Sequence, residues 1–243
     1  MIFEGTLRLD SVRNTARDTK TFVFSLKEFH PLVPTEKIDS FSFAAGQFLS
    51  LQFTDTAWRA YSIASPPAEA KIEFVVRYVE GGTASRIWWE AKIGDTFPFK
   101  GPFGNFLLSE NPDAQLVFCG TGTGVAPLRS MILTENEKEN SRPMTLLYGG
   151  RDKEDIAYLD EIPTWSSSLS VSLGFSRRIP PPDSFPNAVH IDHGRITKFI
   201  EERDWNKKSE FYICGNGDMV QSVVTMLGQK DIPKENIFFE RFN

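Results

Sequence analysis

The sequence predicts two domains: an N-terminal antiparallel six-stranded β-barrel over residues 1–110 and an α/β parallel-sheet domain over residues 111–243. Two observations predict this division. Short strand-like runs separated by Gly and Pro turns fill the first half, which is typical of a small antiparallel barrel. Strands alternate with helices in the second half, which indicates a parallel sheet. The polar segment Ser109–Asp113 lies between them, and 243 residues are enough for two packed cores.

The elements of the first half are short and rich in β-branched and aromatic residues, which favours strands. The six runs are Phe3–Val12, Lys20–Leu26, Gln47–Phe53, Arg59–Ala64, Ile72–Val79 and Thr96–Lys100. One helix is predicted over Thr83–Lys92, because its apolar residues follow a helical spacing and Gly81-Gly82 precedes it.

The second half is predicted to contain four strands and two main helices. The strands are Leu116–Cys119, Thr145–Tyr148, Leu169–Phe175 and Phe211–Cys214, and the helices are Ala126–Lys138 and Asp218–Leu227. The aromatic terminal run Phe238–Asn243 is typical of a docked final strand.

Composition excludes several classes of function. The formal net charge of -5, without a basic run or tail, argues against a general nucleic-acid role. No apolar stretch is long enough to span a membrane and the N-terminus lacks the order of a signal peptide, so we expect a soluble, cytoplasmic protein. A monomer is expected as well, although no motif bears on the oligomeric state. Two cysteines, Cys119 and Cys214, cannot ligate an iron–sulfur cluster, and three histidines argue against structural zinc. Any redox chemistry would therefore need an organic cofactor and no metal.

The run Arg59-Ala60-Tyr61-Ser62 is the first candidate site. Strand alternation puts Arg59 and Tyr61 on one face and Ala60 and Ser62 on the other. An Arg binds a pyrophosphate, a Tyr ring stacks on a flat ring, and a small hydroxyl fits beside reactive ring atoms. A flavin nucleotide needs all three groups, although an ordinary half-buried strand would also explain the run by itself.

Two glycine-containing turns precede helices and are candidate anion sites. Gly120 to Pro127, with Gly122, Thr123 and Gly124, joins a predicted strand to a helix, where backbone amides face a pyrophosphate. Val125 stands where the third glycine of the usual dinucleotide motif would be. The other turn opens the helix of the first half with Gly82, Thr83 and Ser85, where simple capping by Thr83 is the alternative.

Cys214 ends a predicted parallel strand beside a glycine, which is where ligands bind in α/β folds. A small buried apolar residue is the commoner role of a free cysteine. Glu240, a carboxylate among aromatic residues, follows near the end of the chain.

Together these runs resemble the ferredoxin–NADP reductase superfamily, in which an FAD-binding barrel precedes an NAD(P)-binding α/β domain. The resemblance covers nearly the whole chain and rests on five motifs in the same order. They are R-A-Y-S at Arg59–Ser62, G-x-x-x-S at Gly81–Ser85, G-T-G-T-G-x-A-P at Gly120–Pro127, C-G-N at Cys214–Asn216 and the terminal E-R-F.

The resemblance implies roles for individual residues. Arg59 would contact the FAD pyrophosphate, Tyr61 would stack on the isoalloxazine, and Ser62 would lie near its reactive nitrogen. Gly82, Thr83 and Ser85 would hold the FAD phosphates, and Gly122, Thr123 and Gly124 the nicotinamide dinucleotide. Cys214 and Glu240 would flank the nicotinamide and, with Ser62, form the catalytic set. The run Phe242-Asn243 departs from the resemblance, because it lacks the final Tyr or Trp that packs on the flavin in many reductases, and Phe242 is the candidate for that place.

The choice between NADPH and NADH depends on charge near the ribose, because a 2′-phosphate needs arginine and a free 2′-hydroxyl needs a carboxylate. Arg151, Arg177 and Arg195 follow predicted strands or loops of the second half, and Ser176 precedes Arg177. The S-R and G-R-I runs resemble the 2′-phosphate site of bacterial ferredoxin (flavodoxin)–NADP reductases, which favours NADP(H). NADH stays an alternative for two reasons. Asp152 places a carboxylate directly after Arg151, and the three arginines would also be explained as ordinary surface residues.

The sequence thus predicts an FAD enzyme that takes hydride from NADPH and passes single electrons to a carrier protein, a ferredoxin or flavodoxin. One alternative is an NADH-dependent reductase component of an oxygenase, or a free flavin or ferric reductase. A second alternative is a flavin-binding electron-transfer subunit without turnover of its own.

Overall fold

The computed structural model describes residues 1–33, 40–181, 185 and 189–242, which form two six-stranded sheets and four α-helices. The first sheet contains β1 Phe3–Ala16, β2 Thr19–Pro31, β3 Phe48–Gln52, β4 Trp58–Ser62, β5 Lys71–Arg77 and β6 Thr96–Phe103, with helix α1 Thr83–Glu90. The second contains β7 Leu116–Thr121, β8 Met144–Gly150, β9 Leu169–Phe175, β10 Val189–His193, β11 Glu210–Asn216 and β12 Ile237–Phe242. Its helices are α2 Val125–Asn136, α3 Ile196–Glu202 and α4 Gly217–Gln229.

The first sheet is antiparallel and curls on itself, with strand order β4-β3-β6-β1-β2-β5. Its two edge strands, β4 and β5, meet just beyond the end of β4, where the Ala64 amide donates to the Glu73 carbonyl at 2.8 Å. Burial drives this curl, because the inward residues form one aromatic core. Trp88 of α1 lies at its centre, stacked on Phe97 at 5.2 Å between ring centroids. The sheet therefore presents the end of β4 at a fixed place.

The second sheet is parallel in every pair, with strand order β10-β9-β8-β7-β11-β12. Apolar clusters pack on its two faces, as expected when helices cover both sides of a parallel sheet. The strand order reverses beside β7, and the carboxyl ends of β7 and β11 lie together there. Such a reversal opens a crevice in which α/β folds bind ligands.

Most predicted elements are present, with differences at their ends and two omissions. The predicted fold class, a six-stranded antiparallel first domain and a parallel α/β second domain, is confirmed. Strand β10 and helix α3 were not predicted, and both are short, with five and seven residues. Helix α1 ends at Glu90 rather than Lys92. None of the helices in the described ranges is long and apolar enough to cross a membrane.

Candidate functional site

A cleft of ≈ 1540 Å³ runs between the two sheets and is lined by residues of both. Pockets for a single drug-sized ligand measure about 300–1,000 Å³, so this cleft has room for two nucleotides. Most predicted site residues line it. From the first domain these are Arg59, Tyr61, Ser62, Gly82, Thr83 and Ser85; from the second they are Gly122, Thr123, Arg151, Ser176, Arg195, Glu240 and Phe242. Gly124 and Cys214 are buried just behind the lining, and exposed Arg177 follows Ser176 outside it.

Strand β4 forms one wall of the cleft. Tyr61 is half-buried, with its ring edge-on to Trp88 at 5.2 Å between centroids, and this burial raises the pKa of its hydroxyl. Arg59 is exposed, and its guanidinium donates to the Trp58 carbonyl at 2.8 Å. The predicted alternation does not separate a buried from an open face. Arg59, Ala60, Tyr61 and Ser62, which are successive residues of the edge strand β4, all line the cleft.

The start of helix α1 lies at one end of this wall. Its N-cap residue is Gly82, which has no side chain to cap the helix. The alternative of capping by Thr83 is therefore wrong. Uncapped amides at a helix start carry partial positive charge that attracts phosphate. Ser85 is buried, and its Oγ accepts from the Val79 amide at 2.9 Å, which fixes the turn ahead of the helix.

The glycine turn at Gly122–Gly124 forms the opposite wall, between β7 and α2. Gly122 has φ +55°, a left-handed conformation, and an added Cβ there would meet open space. Gly124 is close-packed instead, since a Cβ there would come within 2.3 Å of the Cys214 carbonyl oxygen. The turn therefore exposes backbone to the cleft and is seated directly on β11.

Ser62, Cys214 and Glu240 meet where the two walls approach. Ser62 Oγ donates to Glu240 Oε2 at 3.4 Å across the domains, and Cys214 lies beside Glu240 in the parallel register of β11 and β12. Burial raises the pKa of Glu240. Burial and the neighbouring Glu240 carboxylate raise the pKa of the Cys214 thiol, which therefore stays protonated. The three predicted catalytic residues are thus neighbours, although they are far apart in the chain.

The three candidate 2′-phosphate arginines differ in their surroundings. Arg151 Nε donates to Asp155 Oδ2 at 3.0 Å, so its charge is already paired. Arg177 and Arg195 are exposed, and neither side chain has a hydrogen-bond or ion-pair partner among the residues that the structure describes. Ser176 lines the cleft beside them. Arg177 and Arg195 are therefore unpaired within the described ranges, whereas Arg151 is paired.

Other residues line the cleft without having been predicted as site residues, and Arg17, Tyr78 and Asp155 are among them. Tyr78 follows β5, is 39% exposed, and packs against Trp89 at 5.1 Å between ring centroids. An aromatic residue just ahead of the Gly81-Gly82 turn was a signal that could have found it. Arg17 reaches from the β1–β2 turn to Asp155 at 3.4 Å. No local signal marks that contact, because its partners are far apart in sequence.

The residues present fit a flavin nucleotide on one wall and a nicotinamide dinucleotide on the other. The first wall offers an aromatic ring, an arginine and an uncapped helix start. The second offers a glycine turn at the switch point of a parallel sheet. Each nucleotide thus has a surface for its phosphates.

Comparison with known proteins agrees with this division. The model of the oxidoreductase FAD-binding domain matches residues 6–107, and that of the oxidoreductase NAD-binding domain matches residues 118–225. The reductase component of propane 2-monooxygenase from Mycolicibacterium smegmatis is 30% identical over 207 residues, which cover 83% of this chain and 60% of that protein. The chain spans about three fifths of the length of the first curated relatives it matches.

Two solved structures share the whole fold. A cytochrome P450 reductase from Amycolatopsis has a TM-score of 0.81 at 25% identity, covering 99% of this chain and 70% of that one. A ferredoxin NADP+ reductase from Neisseria gonorrhoeae with bound FAD and NADP has a TM-score of 0.80 at 21% identity, and the match covers 98% of both chains.

An FAD-binding domain followed by an NAD-binding domain, with a shared cleft, defines a two-domain flavoprotein oxidoreductase. The chain belongs to the ferredoxin–NADP reductase superfamily. The predicted family is confirmed, and so are binding domains for FAD and a nicotinamide dinucleotide. The division at residue 110, the roles of individual residues and the preference for NADPH stay predictions.

Proposed function

We propose that the protein transfers hydride from NADPH to FAD in the interdomain cleft and passes single electrons to a ferredoxin or flavodoxin. One observation carries the proposal: the Ser62–Glu240 hydrogen bond joins the wall suited to flavin to the wall suited to nicotinamide. Hydride transfer needs two flat rings in contact, and these residues mark where the walls come within contact distance.

Bound FAD would supply the conversion of a two-electron donor into a one-electron donor. The protein would hold it through the Tyr61 ring, the Arg59 guanidinium and the amides at the start of α1. Tyr78 is open to the cleft at the far end of this wall and would take the adenine.

The nicotinamide end would lie near Cys214 and Glu240. A buried, protonated thiol is small and uncharged, so it can bound the ring without repelling it. Burial raises the pKa of Glu240, and the Ser62 hydroxyl can donate to its carboxylate. These residues would orient the rings and exclude water.

The choice of NADPH rests on Arg177 and Arg195, whose exposed side chains lack partners in the described ranges. A 2′-phosphate would offer each of them a charge-assisted bond. We expect Arg151 to contribute less to binding of the 2′-phosphate, because Asp155 already pairs with its guanidinium.

A second candidate is the reductase component of an oxygenase, using NADH. The relatives favour it: one is the reductase component of propane 2-monooxygenase and another the electron transfer component of toluate 1,2-dioxygenase. Both carry about two fifths of their length outside the match.

The test is a matrix of two donors against four acceptors with FAD-loaded protein. NADPH and NADH are each paired with a ferredoxin, a flavodoxin, cytochrome c and ferricyanide, and kcat/KM is measured for each pair. The proposal expects NADPH to exceed NADH by about tenfold or more, which corresponds to about 1.4 kcal/mol, with reduction of ferredoxin or flavodoxin. A preference for NADH would favour the second candidate, and no reduction of any acceptor would refute both.

A further inference from the structure

Helix α2 carries two kinds of contact. Its first residues, Val125 and Ala126, continue the glycine turn that faces the nicotinamide side of the cleft. One turn later, Arg129 and Ser130 reach into the other domain. Arg129 donates to the Ala64 carbonyl at 2.9 Å, and Ser130 Oγ donates to the Ser65 carbonyl at 2.7 Å. We call these two residues the α2 clamp.

The clamp acts where the first sheet closes on itself. Ala64 also donates to the Glu73 carbonyl at 2.8 Å, and the Glu73 amide donates back to Ser65 Oγ at 3.2 Å. Ala64 and Ser65 are fully buried, and they follow Ser62 by two and three residues. The clamp therefore contacts the segment that leads directly out of the Tyr61–Ser62 wall.

Arg129 is itself held by the interface between the domains. Its guanidinium lies over the Tyr158 ring at 4.8 Å and faces Glu73 at 3.7 Å, while the Tyr158 hydroxyl also donates to Glu73. Only 8% of Arg129 is exposed. Tyr158 has φ +60°, which is rare for a bulky residue. Arg129 is therefore held by partners from both domains, Glu73 in the first and Tyr158 in the second.

An α-helix rises about 5.4 Å per turn and bends little over one turn. The spacing between Val125 and Arg129 therefore fixes the distance from the nucleotide turn to the exit of β4. Misplacing reacting groups by about 1 Å can cost about a hundredfold in rate. The contacts join the two walls through one rigid element, independently of any bond made to either nucleotide.

We propose that Arg129 and Ser130 are positioning residues, which set the approach of the nicotinamide to the flavin by tying helix α2 to Ala64 and Ser65. The inference rests on the proposed hydride transfer. It predicts that loosening the clamp slows flavin reduction while both nucleotides still bind.

The experiment compares Ser130→Ala, Arg129→Gln and the control Thr134→Ala in FAD-loaded protein. The control removes a hydroxyl from the same helix whose bond, to the Ser130 carbonyl at 2.7 Å, stays within α2. Three quantities are measured: the limiting rate of flavin reduction at saturating NADPH and NADH, the Kd of each nucleotide, and deuterium exchange at the Ala64 and Glu73 amides.

The limiting rate should fall about tenfold in Ser130→Ala and up to about a hundredfold in Arg129→Gln. Nucleotide Kd and flavin content should stay within about twofold of wild type, exchange at Ala64 and Glu73 should rise, and Thr134→Ala should change none of these. If Arg129→Gln does not fold, the single-hydroxyl variant Ser130→Ala carries the test.

Faster exchange with an unchanged limiting rate would show that the clamp only stabilises the interface, and would overturn the inference. So would an equal loss of rate in Thr134→Ala, or a fall that follows weaker nucleotide binding. A wild-type protein whose bound flavin neither NADPH nor NADH reduces would refute the proposed function itself, and this inference with it.

Discussion

The two walls of the cleft are built by different means. The flavin wall consists of side chains along an edge strand, β4, with Tyr61 packed on an aromatic core. The nicotinamide wall consists mainly of backbone at the carboxyl ends of parallel strands, where Gly122 and Gly124 allow close approach. The first wall therefore depends on the identity of its side chains. The second depends on the absence of a Cβ atom at its glycines.

The cores behind the walls differ as well. Aromatic rings dominate the core of the first sheet, around Trp88. The second domain contains a buried ion pair, in which Arg142 donates to both oxygens of Glu135 at 2.9 and 2.7 Å. Acid should therefore weaken the second domain through protonation of Glu135.

The largest expected effect is on stability. Burial alone would raise the pKa of Glu135, but hydrogen bonds from Arg142 and Lys138 outweigh it and lower the pKa from the ordinary 4.5 to about 2. The ionised carboxylate then stabilises the fold at pH values above 4.5, and this contribution of about 3 kcal/mol disappears as the pH falls towards 2. Urea unfolding should show Glu135→Gln destabilised by about this amount at neutral pH, with the difference shrinking in acid.

Lys138→Ala is the matched control for this pair. Lys138 contacts the same carboxylate but is half exposed, so its loss should cost only about 0–1 kcal/mol. A difference between wild type and Glu135→Gln that did not change with pH would contradict the account.

Truncation of the flavin wall should have the next largest effect. Tyr61→Ala removes the ring that packs on Trp88 and should raise the Kd for FAD about a hundredfold, or about 2.7 kcal/mol. Tyr61→Phe keeps the ring and should stay within about threefold of wild type. Flavin fluorescence titration measures both, and wild-type affinity in Tyr61→Ala would remove Tyr61 from the site.

The nicotinamide wall should respond to an added methyl group instead. In Gly124→Ala the new Cβ would meet the Cys214 carbonyl oxygen, which should displace the turn and weaken NADPH binding by about 1–3 kcal/mol while FAD binding is kept. Gly122→Ala adds a methyl that meets no protein atom, but Gly122 lines the cleft and has a positive φ, so this variant should also weaken NADPH binding. Calorimetric titration would refute the backbone account if both variants bound NADPH as tightly as the wild type.

The smallest effect should fall on nucleotide choice. Arg177→Ala should raise the Kd for NADPH about tenfold, about 1.4 kcal/mol, and leave NADH within about twofold. Arg151→Ala should do less, because Asp155 pairs with that guanidinium. An equal loss for both nucleotides in Arg177→Ala would mean that the residue does not read the 2′-phosphate.

Local patterns in the sequence predicted much of the fold and of the cleft. Arg59–Ser62 and the glycine turn at Gly122 each carry their chemistry within a few residues, so their types and order indicated two nucleotide surfaces. Strand alternation at Tyr61 was a weaker guide to burial, because the successive residues Arg59 to Ser62 all line the cleft.

Contacts between distant segments could not be predicted. The pairing of Arg151 with Asp155 is local, but the approach of Arg17 to that carboxylate depends on how the domains meet. The same holds for Arg129. Its sequence context does not distinguish it from other helix arginines, and its hydrogen bond to the Ala64 carbonyl is known only from the structure. Such contacts arise from packing between the domains rather than from a motif.

The central claim is that one wall of the cleft binds FAD and the other binds NADPH, which donates hydride to the flavin. Anaerobic mixing of FAD-loaded protein with one equivalent of NADPH, followed by flavin absorbance, tests it most directly. We expect the flavin band to bleach completely, faster with NADPH than with NADH. A flavin that binds but stays oxidised with both nucleotides would contradict the account.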